Sequence, residues 1–286
     1  MLVSAAECQQ TAEDWINKGT DFAMEGKFED ALRCFDEAIR LKPDDAVAWN
    51  NKGAALDDLG RYDEALECFN ESIRLKPDYV EAWYNKGLAL AGLGRYDEAL
   101  ECFNEAIRLK PDYAEAWYNK GLALAGLGRY EEALECFNEA IRLKPDLAEA
   151  WNSKGLALAG LGRYEEALEC FNEAIRLKPD LAVAWYGKGV ALYYLGRYEE
   201  ALECYNESIR LKPDLAEAWS NKGVALAGLG RYEEALECCN ESIRLKPDLA
   251  NAWYGKGLIL EILGRDSEAA AAYQRARELG AMIRDR

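Results

Sequence analysis

Residues 148–181 read "AEAWNSKGLALAGLGRYEEALECFNEAIRLKPDL", and the apolar positions return at intervals of three and four. Ala150, Trp151, Ala157 and Leu158 form one stripe, and Ala167, Leu168, Phe171, Ala174 and Ile175 form a second. This spacing predicts two amphipathic helices, because a strand would alternate every second residue. Gly160 and Gly162 predict the end of the first helix. The second is expected from about Glu165 and stops at "KPD", since proline removes a donor and clashes with the preceding turn. Asp146 is expected to cap the first helix, with Glu149 three residues on completing a capping box. Gly155 lies in mid-helix, where glycine costs about 1 kcal/mol against alanine. A packing reason is therefore predicted: close approach of the two helices, with small Ala167 facing the glycine.

The same pattern returns along the whole chain. "GLALAGLGRYEEALECFNEAIRLKPD" occurs identically at 121–146 and 155–180. All eight tryptophans, from Trp15 to Trp253, are 34 residues apart, and a glycine follows each four residues later. All seven prolines keep the same interval. A single period over 12–283 predicts an array of eight units at 12–45, 46–79, 80–113, 114–147, 148–181, 182–215, 216–249 and 250–283, with short tails at 1–11 and 284–286. In one unit the recurring residues are Trp151, Gly155, Leu158, Gly162, Tyr164, Ala167, Phe171, Ala174 and Pro179. In these residues and their spacing the chain resembles the tetratricopeptide repeat family. The resemblance implies an all-α fold, an α-solenoid of eight antiparallel helix pairs stacked into a right-handed superhelix. It also implies that the first helix of each pair lines a concave groove holding a peptide or a helix of a partner protein.

The two ends of the pattern differ from its middle. The third residue of each unit is alanine from Ala48 to Ala252, but Asp14 in the first unit. The tenth is alanine or Ile259, but Asp21 in the first unit. These positions are expected to pack on a preceding unit, which unit one lacks. In unit eight Ala270 and Arg277 replace the leucine and isoleucine expected to pack on a following unit, and Gly280 replaces the usual lysine and closes the last helix. Such polar end units suit a one-dimensional stack, read here as one cooperative array, monomeric, with end-to-end self-association left open.

Charge follows the repeat. Unit 148–181 sets Glu149, Glu165, Glu166, Glu169, Glu173 and Asp180 against Lys154, Arg163, Arg176 and Lys178, a net of −2, and eight such units account for about −16 of the chain's −17. An acidic chain without a basic stripe argues against nucleic acid and against docking on anionic lipid. Nine cysteines in a small secreted domain would suggest disulfides, but seven of these, from Cys34 to Cys238, recur every 34 residues. Equivalent positions about 10 Å apart exceed the ~7 Å reach of a disulfide, so free thiols acting as small apolar groups in a reducing compartment are expected. The opening "MLVSAAECQQ" has neither a basic nor an adequate apolar region of a secretory signal, and no apolar run reaches membrane-spanning length. The expected location is cytoplasmic.

Catalytic chemistry finds no candidate. There is no histidine, no GxxxxGK loop and no CxxC pair. Cys238 and Cys239 could bind a soft metal or react, but Cys239 occupies the Phe171-equivalent position and is read as packing. Paired acids such as Glu165 and Glu166 suit a solvated helix N-terminus. The chain is read as non-enzymatic, with no cofactor and no metal.

The family resemblance places the second, fifth, sixth, ninth, twelfth and thirteenth residues of each unit on the groove. The fifth includes Tyr84, Tyr118 and Tyr186, and the sixth is Asn17, Asn51, Asn85, Asn119 and Asn221, interrupted by Ser153, Gly187 and Gly255. An asparagine amide can donate to and accept from one peptide group. One rung per unit, roughly 10 Å, matches about three residues of extended peptide at ~3.3 Å each. The competing reading is a tolerated exposed helix residue copied with the unit. In unit six Val183 replaces a glutamate, and Tyr186, Tyr193 and Tyr194 fall on groove positions. They form either a binding hot spot or a local stack between adjacent helices. Unit two offers Asp57 and Asp58, with Glu25 and Glu81 nearby, as attraction for a basic partner or as plain solvation. The family's clamp for C-terminal carboxylates needs basic groove residues. The fifth and sixth positions have none, and the lysines from Lys18 to Lys256 sit one position beyond, expected to lie along the helix pair. The expected function is a protein-interaction module binding a peptide or helix, with a rigid spacer as the rival. RNA reading is disfavoured by the acidity and by a period of 34 rather than 35.

Overall fold

The structure, a computed structural model, describes residues 10–280. Most of the expected N-terminal tail, Cys8 and the stretch read for a signal lie outside the described residues, as do 281–283 and the expected C-terminal tail. The chain divides into two compact units, one ending at Lys144 and the other beginning at Pro145. Among the described residues all regular structure is α-helical. The first unit holds α1 (Ala12–Met24), α2 (Phe28–Leu41), α3 (Ala46–Asp58), α4 (Tyr62–Leu75), α5 (Val80–Gly92), α6 (Tyr96–Leu109), α7 (Ala114–Gly126) and α8 (Tyr130–Leu143). The second holds α9 (Ala148–Gly160), α10 (Tyr164–Leu177), α11 (Ala182–Tyr194), α12 (Tyr198–Leu211), α13 (Ala216–Gly228), α14 (Tyr232–Leu245), α15 (Ala250–Ile262) and α16 (Asp266–Glu278). Within each unit, helices pack on their sequence neighbours, and each first helix also packs on the first helix of the next repeat.

Local chemistry accounts for these boundaries. Gly162 takes φ +75° just past α9. The Arg163 N–H then donates to Leu158 O at 2.9 Å and the Gly162 N–H to Ala159 O at 3.0 Å. This is the two-bond Schellman closure, which favours glycine because a Cβ is strained at positive φ. At the other end the expected cap is corrected. α9 starts from Leu147 with no side-chain cap, and Asp146 stands one residue too early to serve. Capping by aspartate occurs at Asp45, which stands at the position of Leu147 and whose carboxylate accepts from Val47 N–H and Ala48 N–H. The capping box is found at Thr11 and Asp14. Elsewhere the turn is held by tryptophan: the Trp151 indole N–H donates to Pro145 O at 3.1 Å, and the Trp185 indole to Pro179 O at 3.0 Å.

The core forms where the two helices of a hairpin meet. Ala167, Cys170, Phe171 and Ala174 are buried, as are their equivalents in the other repeats. A Cβ on Gly155 would stand 2.8 Å from the Phe171 ring. The Phe171 ring is thus what comes nearest to the glycine, and where cysteine replaces that ring the backbone oxygen of Ala235, the counterpart of Ala167, stands 3.0 Å from a Cβ on Gly223, so the expected close approach at the alanine is present as well. A Cβ on Gly187, in the next repeat, would stand 2.6 Å from the same ring. The interface positions behave as their polarity requires. Ala48, Ala82, Ala116, Ala184, Ala218 and Ala252 are fully buried, whereas Asp14, Asp21, Ala270 and Arg277 are exposed.

Candidate peptide-binding face

Helical spacing puts the second, ninth and thirteenth residues of a repeat on one side of its first helix. They stay in solvent because the third and tenth face the neighbouring repeat. The large apolar side chains left exposed concentrate there: Val47 and Val183 at the second position, Leu122 and Leu156 at the ninth, Met24, Tyr194 and Ile262 at the thirteenth. Leu156 is 47% exposed and Tyr194 61%. In the first unit an open cleft of about 580 Å³ is lined by Glu13, Ile16, Asn17, Lys42 and Val47 among others, again from this side.

The fifth and sixth positions are less open than expected, because they tie neighbouring repeats together. Asn85 Nδ2 donates to Asn50 Oδ1 at 3.1 Å, Asn119 Nδ2 to Tyr84 Oη at 3.0 Å, and Asn221 Nδ2 to Tyr186 Oη at 2.9 Å. Asn119 also donates to Glu115 O at 2.9 Å, so both of its amide hydrogens are engaged. Asn51 Oδ1 accepts from Asn50 Nδ2 at 3.3 Å, and Asn17 is exposed. Tyr84 meets Tyr113 at 4.8 Å with the rings tilted by 46° and, like Tyr118, meets its own repeat's phenylalanine. Where the sixth residue is Gly187 the tie is missing, and Asn152 Oδ1, one repeat earlier, is buried without a partner. The pairing joins residues 35 apart, a relation invisible within one repeat.

Charges on this face are partly neutralised from within. Lys144 pairs with Glu115 at 3.2 Å, Lys178 with Glu149 at 3.0 Å and Lys246 with Glu217 at 3.0 Å, each joining the two helices of one hairpin. Being exposed, such pairs contribute about 0–1 kcal/mol. Glu25 pairs with Lys27 at 2.7 Å. The lysines from Lys18 to Lys256 lie over the tryptophan three residues earlier, from 4.8 Å at Lys18 to 5.7 Å at Lys86, as cation–π contacts. The exposed sides of the second helices carry arginine–glutamate pairs instead, such as Arg176 with Glu173 at 2.5 Å.

Asp57 and Asp58 stand at the last turn of α3, the negative end of the helix dipole. Asp57 Oδ1 is buried without a partner. Burial, and secondarily the charge of Asp58, hold the Asp57 carboxyl above the ordinary carboxylate range. A raised folded-state pKa means that ionised Asp57 opposes folding above that pKa, and that the penalty vanishes below the unfolded value near 3.9. Asp57→Ala is therefore expected to raise the melting temperature at pH 7 and to leave it unchanged at pH 3. Thermal denaturation at the two pH values checks this.

Unit six of the sequence pattern supplies the aromatic group. Tyr194 stacks on Tyr164 with centroids 4.8 Å apart and planes 6° apart, and Tyr193 meets Tyr194 edge-on at 5.6 Å and Tyr198 at 5.3 Å. Tyr186 lies apart from this group, against Tyr205 at 6.2 Å. The sequence reading missed Tyr164 and Tyr198 because every repeat but the first and last carries tyrosine there. The available signal was the meeting of positions thirteen and seventeen across repeats, seen again where Gly126 abuts the Tyr96 ring.

Burial raises the thiols of Cys68, Cys102, Cys136 and Cys204 to about 11 and that of Cys239 to about 12, which leaves little thiolate for reaction or ligation at neutral pH. Among the described residues no group of three His, Cys, Asp or Glu side chains could hold a metal ion, and no helix is long and apolar enough to cross a membrane.

Hairpins of this size, stacked in sequence order with one helix of each pair exposing apolar side chains, define an all-α helical repeat array. Models described as tetratricopeptide repeat match residues 16–80, 55–114, 84–148, 118–182 and 242–281, and another matches 216–249. One described as TPR repeat matches 189–230. The chain belongs to the tetratricopeptide repeat family, whose repeats serve as protein-interaction modules. Among solved structures it is similar to YrrB, a TPR protein with an unusual peptide-binding site, at 28% identity over 64% of this chain and 95% of that one, with a TM-score of 0.55. It is similar to MamA from Desulfovibrio magneticus RS-1 at 27% identity over 59% of this chain and 96% of that one, with a TM-score of 0.55. A tetratricopeptide repeat protein from Parabacteroides merdae ATCC 43184 shares the fold over 90% of this chain and 98% of its own, at 20% identity and a TM-score of 0.66. No curated protein matches the chain.

Proposed function

We propose that the first-helix face binds an extended or helical segment of a partner protein, without catalysis. The observation that carries this reading is the exposure, on the first helices, of Val47 and Leu122 in one unit and of Leu156, Val183 and Tyr194 in the other, while the second helices turn paired charges outward. Within either unit, apolar side chains rimmed by polar groups are what a helix or strand of another chain can cover. Asn119 and Asn221 give amide hydrogens to the neighbouring repeat, and their carbonyl oxygens serve as acceptors for peptide N–H groups. YrrB, described as having a peptide-binding site, supports the same use. The rival, a rigid spacer without a ligand, leaves these exposed apolar residues without a role.

Leu122→Glu with Leu156→Glu separates the two. Both residues are exposed, so folding should persist by circular dichroism. A displayed library of random ten-residue peptides is expected to yield binders to the wild-type chain that lose at least tenfold in affinity for the variant. The control Arg142→Ala, on a second helix, should keep them. A library yielding no binders would establish the spacer.

A further inference from the structure

The tryptophans of this protein are matched with the chain's own cations. A lysine lies over each tryptophan from Trp15 to Trp253, and lysines also lie over Phe22, Tyr79 and Tyr113. Tyr164, Tyr193, Tyr194 and Tyr198 form a linked group of four rings, with Tyr194 exposed, and none of these lysines lies over any of them. Arg197, beside Tyr198 in the chain, is held by Glu200 at 2.5 Å. Arg163, beside Tyr164, is held by Glu166 at 2.6 Å. The residues following the two tyrosines, Glu165 and Glu199, are exposed and stand in no ion pair among the described residues. The group therefore combines an exposed ring at Tyr194 and hydroxyl acceptors with a chain whose net charge is −17.

We infer that this tyrosine group is a subsite for an arginine side chain of the bound segment. The inference rests on the peptide-binding reading above and names the chemistry recognised at one place on that face. A guanidinium suits the site better than an ammonium. It is planar, stacks on aromatic rings, is more weakly hydrated, and offers several N–H donors to tyrosine hydroxyls and carboxylates. An acidic side chain would be disfavoured by the chain's net charge of −17. A purely aliphatic one would leave the local charge unanswered. Sequence provides a clean reversal, because positions 193 and 194 are Ala–Gly in the repeats holding Ala159 and Gly160, and Ala227 and Gly228.

The test selects ten-residue peptides from a random displayed library on the wild-type chain and on Tyr193→Ala with Tyr194→Gly. Arginine is expected to be enriched at one peptide position on the wild type and not on the variant. A selected peptide is then synthesised with that arginine replaced by citrulline, equal in shape but neutral. The replacement is expected to weaken binding to the wild type roughly fivefold to thirtyfold, as a stacked cation at a partly desolvated site would, and to change binding to the variant less than twofold. Peptides that bind without arginine enrichment, or a citrulline loss of equal size in both proteins, overturn the arginine subsite and leave peptide binding intact. A library without binders overturns both.

Discussion

Replacing Phe171 by alanine is expected to lower stability by about 3–5 kcal/mol, with helical content lost mainly around α9 to α11. The ring is fully buried and fills the space that two glycines leave for it, since Cβ atoms on Gly155 and Gly187 would stand 2.8 and 2.6 Å from it. Helix backbones cannot collapse readily into that space, because each is also held by its other neighbours, so a cavity shared by two repeats remains. The protein contains a milder version of this change. In the repeat of α13 and α14 the same position is Cys239, buried, with its sulfur 3.1 Å from a Cβ built on Gly223 and 3.6 Å from one on Gly255. Both glycines are retained although the ring they would accommodate is gone. Cys239→Phe is therefore expected to stabilise the chain by about 1–2 kcal/mol. Urea denaturation followed by far-ultraviolet circular dichroism checks both variants. A Cys239→Phe protein less stable than the wild type would mean that α13 and α14 have closed over the missing ring.

The sequence was most informative where one residue type must satisfy one local geometry. The tryptophan, glycine and proline intervals placed every hairpin, and Gly162 marked the end of α9 because its positive φ is a backbone demand independent of neighbours. The contrast between Asp14 and Ala48 marked the interface stripe for a similar reason, since a buried alanine and a solvated aspartate do not exchange freely. What escaped was three-dimensional pairing. Ala167 and Phe171 both lie on the inner stripe of α10, and how near each comes to Gly155 depends on the crossing of two helices. The Asn–Tyr ties depend on the contact between first helices of successive repeats, so the row of asparagines looked solvent-facing although Asn85, Asn119 and Asn221 are tied to the neighbouring repeat. Capping failed by one residue, because Asp146 and Asp45 differ in register by one position and only the latter reaches the free N–H groups.

Ala116→Asp is the substitution with the most direct bearing on how repeats abut. It copies into the fourth repeat the aspartate that the first repeat carries at position 14. Asp14 is exposed and accepts from the Thr11 N–H at 2.8 Å. Ala116 is fully buried on α7, which packs on α6 of the preceding repeat. A carboxylate there would lack water and a cation, and the expected destabilisation is on the order of 3–5 kcal/mol at pH 7. Burial without a partner raises the folded-state pKa of such an acid. The electrostatic part of the penalty is thus present above that pKa and disappears below about 3.9, so the difference from wild type should narrow as the pH is lowered. Asp14→Ala removes only an exposed capping contact and should change stability by about 1 kcal/mol or less. Equal melting temperatures for the two variants at pH 7 would show that the alanine stripe is not a sealed contact between repeats. A loss confined to Ala116→Asp ties the burial of that stripe to the stacking that leaves the opposite side of each first helix exposed.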